Sequence, residues 1–270
     1  MASGRGRPRV MGVLNVTPDS FSDGGRWAGV EEAVKAGVAL HRAGADVVDV
    51  GGESTRPGAR PVPEEEELRR VVPVIRGLAQ ARVPVSVDTM KPAVMRAAVR
   101  AGAVMINDVT ALGFASDSLA TAAALGVPVV LMHMQGTPAT MQQAPHYADV
   151  VGEVLEFLRR RLAAAEAAGI PRARLIVDPG IGFGKTLDHN LAILRHLERF
   201  LELGQPLLVG ASRKSLIPAI AGPAAPDARL GGSLALALRA AEAGAAWVRV
   251  HDVVETVQAL DVWAAVRPAR

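Results

Sequence analysis

Acids, amides and cations recur in this chain at the ends of short β-branched runs, where the chemistry of an α/β enzyme would sit. The clearest instance is LIVDPGIGFGKT at 175–186. Three apolar residues read as a buried strand, Asp178 ends it, and a glycine-rich loop follows whose backbone can lie close to a ligand. An acid so placed can serve a substrate, or it can cap the N–H groups of its own loop. Two loop motifs fail on spacing: a phosphate cradle G-x-x-x-x-G-K-[ST] would need glycine where Pro179 stands, and a dinucleotide fingerprint would need glycine where Lys185 stands.

Eight short apolar runs carry such endings. Residues 10–14 lead to Asn15, 47–50 to Gly51-Gly52-Glu53, 85–87 to Asp88 and 104–106 to Asn107-Asp108. Residues 129–132 lead to His133, 175–177 to Asp178, 207–209 to Gly210-Ala211-Ser212, and 247–250 to His251-Asp252. Alanine-rich amphipathic stretches lie between them, closing on Gly44, Gly102, Gly126, Gly169, Gly204 and Gly244, where a left-handed C-cap belongs. In one of them Leu68, Val71, Val72, Ile75 and Leu78 share a face behind an acidic first turn at 64–67, and Pro73 should kink it. This alternation predicts an α/β fold, a (β/α)8 TIM barrel with a parallel eight-stranded barrel and outer helices. In a barrel all eight strand ends converge on one face and make a polar pocket. Singly, each has a structural alternative: Asp88 precedes a helix that begins near Pro92 and could cap it. The loops at 16–26, 51–63 and 134–146 are long and polar, and the first two read as lids.

Length and composition agree. The 270 residues suit one barrel domain over 10–270 behind a basic tail at 1–9, expected to fray. No uncharged apolar run approaches the ~20 residues of a membrane span, and the first nine residues lack a secretory h-region, so a soluble cytoplasmic protein is expected. The absence of cysteine excludes disulfides and thiolate metal ligands. A net charge of +3 with no aromatic-interleaved basic stripe argues against nucleic acid and suits anionic substrates. High Ala, Pro and Arg fits a thermophile or a GC-rich genome alike.

Several blocks, in order, carry a resemblance: MGVLNVTPDSFSDGG at 11–25, DVGGESTRPG at 49–58, SVDT at 86–89, INDV at 106–109, LMHMQG at 131–136, DPGIGFGK at 178–185, SRKS at 212–215 and RVH at 249–251. Together the chain resembles the dihydropteroate synthase family from about residue 11 to about residue 252. The resemblance implies a transferase of folate biosynthesis. Such an enzyme joins 6-hydroxymethyl-7,8-dihydropterin diphosphate to p-aminobenzoate, releasing pyrophosphate, with Mg²⁺ as cofactor and commonly as a homodimer. By likeness, Asp88, Asn107, Asp178 and Lys214 hold the pterin, with Met132, Phe183 and Gly210 around it; Thr55, Arg249 and His251 reach the diphosphate; and Asn15 is the protein ligand to Mg²⁺. Phe21, Thr55, Arg56, Pro57, Lys214 and Ser215 surround p-aminobenzoate, and Asp23 supports the developing cation or the amine.

The implied reaction loses pyrophosphate early and traps a ring-delocalised cation with the aryl amine. The alternative for His251 is a structural histidine, and for His133 the structural role is the stronger reading. A corrinoid-linked methyltransferase barrel would share the pterin acids but needs no diphosphate clamp. A nucleotide hydrolase is disfavoured by the loop spacing, and a non-catalytic pterin binder leaves the charged strand ends unexplained.

Overall fold

The structure, a computed structural model, describes residues 6–17, 25–56 and 58–267, with backbone alone at 25–28. The β-branched runs form strands β1 (Arg9–Asn15), β2 (Val47–Gly51), β3 (Val85–Asp88), β4 (Met105–Asp108), β5 (Val129–Met132), β6 (Leu175–Asp178), β7 (Leu208–Val209) and β8 (Trp247–Val250). All pair in parallel in the order β6-β5-β4-β3-β2-β1-β8-β7. A bridge between Val177 and Leu207, with Val177 N–H donating to Pro206 O at 3.0 Å, joins β6 to β7 and brings the sheet round into a barrel. Helices α1 (Gly25–Arg42), α2 (Glu64–Gln80), α3 (Pro92–Ala101), α4 (Ser118–Leu125), α5 (Val150–Ala167), α6 (Leu187–Arg195), α7 (Leu216–Ala221), α8 (Leu230–Glu242) and α9 (Val253–Val266) lie outside it. The expected (β/α)8 architecture is therefore present.

Period-two alternation divides each strand between two environments. Val10, Leu14, Val48, Val50, Val85, Val87, Ile106, Leu131, Val177 and Val248 pack outward against the helices. Met11, Val47, Met105, Val130, Ile176, Leu208 and Trp247 form a separate buried cluster, the apolar layer that fills the barrel interior. Advancing two residues along the last six of those strands gives Asp49, Asn107, Met132, Asp178, Gly210 and Arg249. The same inward row is thus apolar at one level and polar at the next.

The helices end as expected. Gly44, Gly102, Gly126, Gly169, Gly204 and Gly244 all have positive φ, where a side chain would be strained. Helix α2 runs unbroken through Pro73 and buries Val71, Val74, Ile75 and Leu78, with Leu68 and Val72 partly buried against the same core. Its first turn is not purely a complement to the helix dipole, because Glu67 is buried and paired with Lys91. The N-terminal tail begins to order earlier than expected: Arg7 is buried with ion pairs to Asp46 at 3.8 Å and Asp261 at 2.5 Å, and Arg9 opens β1. Among the described residues no helix is long and apolar enough to cross a membrane.

Candidate active site

At the C-terminal rim the strand register sets the polar groups side by side. Gly51 pairs with Asp88, Asp88 with Asn107, and Met132 with Asp178. Asp49, one inward position below the rim and fully buried, is the hub: it accepts from Arg249 Nε at 2.7 Å and from Asn107 Nδ2 at 3.0 Å on the same oxygen. Its other oxygen, Oδ1, has no hydrogen-bond partner, nor has the buried Ser86 hydroxyl of β3. Arg249 Nη2 donates to Asp88 Oδ2 at 2.8 Å, so one guanidinium bridges two carboxylates. Burial pushes Asp88 up to about 7; Arg249 opposes that and the neighbouring acids reinforce it. Asp88 does not cap α3, whose first turn starts at Pro92 behind Lys91 with no side-chain cap.

Across the opening, Asp178 Oδ1 accepts the N–H of Gly180 at 2.7 Å, so the acid does cap its own loop, but with one oxygen only. Burial raises its pKa against the pull of that N–H, Lys214, Lys185 and Arg249. Gly210 leaves room beside it: a Cβ there would sit 3.9 Å from Asp178 Oδ2 and 3.6 Å from Arg249 Cβ. Lys214 Nζ donates to Ile181 O and lies 4.1 Å from the centre of the Phe183 ring. Burial pulls this ammonium down to about 7, with Asp178 countering.

His251 closes the ring of groups. The Ser212 hydroxyl accepts the His251 backbone N–H at 3.2 Å and lies 3.1 Å from Nδ1. The Ser212 hydroxyl can donate its own proton to Nδ1, and in that tautomer the imidazole proton sits on Nε2. Burial, then the charges of Arg249 and Arg213, pull His251 down to about 4, so the ring is neutral near pH 7. Arg56 also acts on it, which places the tip of the β2–α2 loop near β8, and Gly58 N–H donates to Pro138 O at 3.1 Å to join that loop to the β5–α5 loop. Ser215 is exposed just before α7, Thr55 is half-buried, and Asn15 ends β1 opposite Gly51. Phe21, Asp23 and Pro57 lie outside the described residues.

The glycine-rich loop differs from its expected use. A Cβ at Gly180 would lie 1.9 Å from His133 O and one at Gly184 2.5 Å from Gln135 O, so the close approach these glycines allow is to the chain's own β5–α5 loop. Gly182 alone of the three faces the site, where an added Cβ would lie 2.9 Å from Lys214 Cδ. Lys185 is not a phosphate ligand in waiting, because it is buried against His133.

Three groups were not singled out by sequence: Asp49, the Lys91 ammonium paired with Glu53 and Glu67, and Lys185. A charge inside the VVDVG run was the available signal for Asp49, since a buried acid must find a partner. Asp108, which also ends β4, belongs to the scaffold: it accepts from Thr110 N and Oγ1, both at 2.7 Å, and from Leu112 N at 3.1 Å.

Comparison with known proteins agrees with this arrangement. Residues 11–251 match the pterin binding enzyme family. The dihydropteroate synthase of Escherichia coli strain K12 is 52% identical over 256 residues, covering 94% of this chain and 90% of that protein. The Xanthomonas albilineans dihydropteroate synthase structure with 4-aminobenzoic acid superposes with a TM-score of 0.92 at 57% identity, covering 98% of this chain and 95% of that one. The same organism's enzyme in complex with 7,8-dihydropteroate gives a TM-score of 0.88 at 53% identity, with coverage of 99% and 97%. The chain belongs to the dihydropteroate synthase family of pterin binding enzymes.

Proposed function

We propose that the polar rim joins 6-hydroxymethyl-7,8-dihydropterin diphosphate to p-aminobenzoate, forming a C–N bond and releasing pyrophosphate to give 7,8-dihydropteroate. The observation that carries this reading is the gathering of Asp88, Asn107 and Asp178 with Lys214 and Arg249 at one rim of the barrel. A pterin presents an amidine-like donor edge and a carbonyl, which match carboxylates and an amide on one side and an ammonium on the other. Asp178 Oδ2 takes the donor edge, Lys214 turns from Ile181 O to the carbonyl, and Met132 and Phe183 bound the ring faces. A ring lacking these donors leaves buried polar groups unpaired at about 1–3 kcal/mol each.

The diphosphate lies toward β8 and Thr55. His251 donates from Nε2, and when Asp88 engages the pterin, Arg249 turns an edge to the departing oxygens. Asn15 would hold Mg²⁺. A single neutral amide fits a cation that keeps most of its waters and shares substrate phosphates, although among the described residues no group of three His, Cys, Asp or Glu side chains could hold a metal ion. That cation supplies charge neutralisation on the leaving group. The acids around the ring favour early loss of pyrophosphate over direct displacement, since they stabilise positive charge delocalised into the heterocycle. The aryl amine then attacks the methylene carbon and gives up a proton to solvent, and the family resemblance assigns Asp23 to the support of the amine.

The family resemblance assigns Phe21, Thr55, Arg56 and Pro57 to p-aminobenzoate, with Ser215 for its carboxylate. Helix α9 exposes Val254, Val262 and Val266, which supports pairing with a second copy. Coupled pyrophosphate release tests the reading, with pterin diphosphate, p-aminobenzoate and Mg²⁺ omitted in turn. Product formation that persists without the pterin diphosphate or p-aminobenzoate would refute it. Strict dependence of pyrophosphate release on the amine in a single turnover would refute early departure.

A further inference from the structure

Lys185 is the one charged side chain of the 179–186 loop, and the binding scheme above leaves it unused. It is 3% exposed, and its Nζ meets three acceptors: Gly180 O at 2.9 Å, Phe183 O at 3.0 Å and His133 Nδ1 at 2.9 Å. With Lys185 protonated, its three N–H groups serve all three acceptors while His133 is neutral with its proton on Nε2; with the amine neutral, it would donate to the two carbonyls and accept from His133 Nδ1–H. His133 sits edge-on to Phe157 with ring centres 4.8 Å apart, and burial and then the Lys185 charge pull it down to about 3, which keeps it neutral. On the other side of the same residue, Gly180 N–H donates to Asp178. Gly180 is thus held at its carbonyl by a cation and at its N–H by an anion.

We propose that Lys185 is a positioning residue for pterin binding: its buried ammonium locks the 180–183 loop and holds Asp178 ionised, so that the second carboxylate oxygen remains an acceptor. The pterin role of Asp178 is the reading proposed above, whereas the coupling of Lys185 to Asp178 stands without it. The charged groups facing Asp178 are Lys214 on the β7 loop, Arg249 on β8 and Lys185; those facing Lys185 are Asp178, Lys214 and the neutral His133. Burial lowers Lys185 to about 7, with Asp178 opposing, and burial raises Asp178 while Lys185 pulls it down, so each charge supports the other.

The test follows the Asp178 carboxyl carbon by ¹³C NMR in the ligand-free protein, assigned by its loss in Asp178→Asn. The wild type is compared with Lys185→Met, Lys185→Gln and Lys185→Arg, and the affinity for the pterin diphosphate is measured over roughly pH 5 to 8 on the same samples. Lys185→Met and Lys185→Gln are expected to raise the Asp178 midpoint by about one pH unit and to move the acid-side loss of pterin affinity with it, while Lys185→Arg restores both. A merely structural lysine would leave the midpoint where it was, and that result in a cooperatively melting variant overturns the assignment. Should Lys185→Met not fold, Lys185→Gln keeps a donor for the carbonyls, and the wild-type Lys185 Cε titration decides alone: a lysine already neutral while Asp178 titrates overturns the proposal. If Asp178→Asn binds pterin diphosphate as tightly as the wild type, the pterin role falls, and the Asp178 titration still decides the coupling.

Discussion

Gly180→Ala is the substitution whose effect the structure constrains most tightly. Gly180 has φ +67°, and the added Cβ would lie 1.9 Å from the carbonyl oxygen of His133 and 3.0 Å from its carbon. Ordinary contact begins near 3.4 Å, so one of two backbones must move by about 1.5 Å. The left-handed conformation costs about 1–2 kcal/mol for a residue with a side chain, and forced displacement in a packed region about 1–3 kcal/mol more. Gly169→Ala isolates the first contribution: Gly169 has φ +92° with nothing within 4 Å of its would-be Cβ. At about 2–4 °C per kcal/mol, Gly169→Ala should lower Tm by about 3–5 °C and Gly180→Ala by about 10 °C. Gly180 also joins Asp178 to Lys185, so its displacement should raise KM for the pterin diphosphate at least about tenfold, while Gly169→Ala leaves KM unchanged. Equal melting temperatures and equal KM for the two variants, measured by calorimetry and steady-state kinetics, would refute the steric reasoning.

Lys91→Met leaves Glu53 and Glu67 buried without their shared cation, and removing one member of such a cluster costs about 3–5 kcal/mol. Because Glu53 stands two residues before Thr55, KM for p-aminobenzoate should rise more than KM for the pterin diphosphate, and denaturant melts with both KM values check this. Lys214, lowered to about 7, carries its charge below that pH and loses it above. Pterin diphosphate affinity should therefore fall as pH rises from about 7 to about 9, and Lys214→Arg, always protonated, should flatten that limb in a calorimetric titration. Arg56→Ala should weaken p-aminobenzoate far more than the pterin diphosphate, and equal losses for both in the same titrations would exclude its placement under the lid.

The barrel was legible because the strands are short apolar runs rich in β-branched residues and six of the helical stretches close on a glycine that the fold places at positive φ. The rim was legible for the same reason: when 47, 105, 130, 176, 208 and 247 face inward, residues two further on must face inward too. Hidden from the sequence was what each charge would meet. Asp49 lies within a run of valines and pairs with Arg249, 200 positions away. Lys91 looked like a helix start and Glu67 like a dipole complement, until folding joined them. The glycines of the 178–185 segment signalled close approach correctly, but the neighbour for two of them is the β5–α5 backbone, which no local pattern reveals. Asp108 and Asp178 look alike in sequence, both acids ending strands, yet one binds its own turn with both oxygens and the other keeps an oxygen for the opening.

That last contrast gives the most direct measurement: the affinity of folded Asp178→Asn and Asp108→Asn for the pterin diphosphate, by isothermal titration calorimetry. Two lost charge-assisted hydrogen bonds, at about 1.5 kcal/mol or more each, should weaken Asp178→Asn by about a hundredfold or more. Asp108→Asn should melt earlier but bind as the wild type does. Wild-type affinity in Asp178→Asn, or a loss in Asp108→Asn as large as the one expected at Asp178, would contradict the assignment of the polar rim as the pterin site.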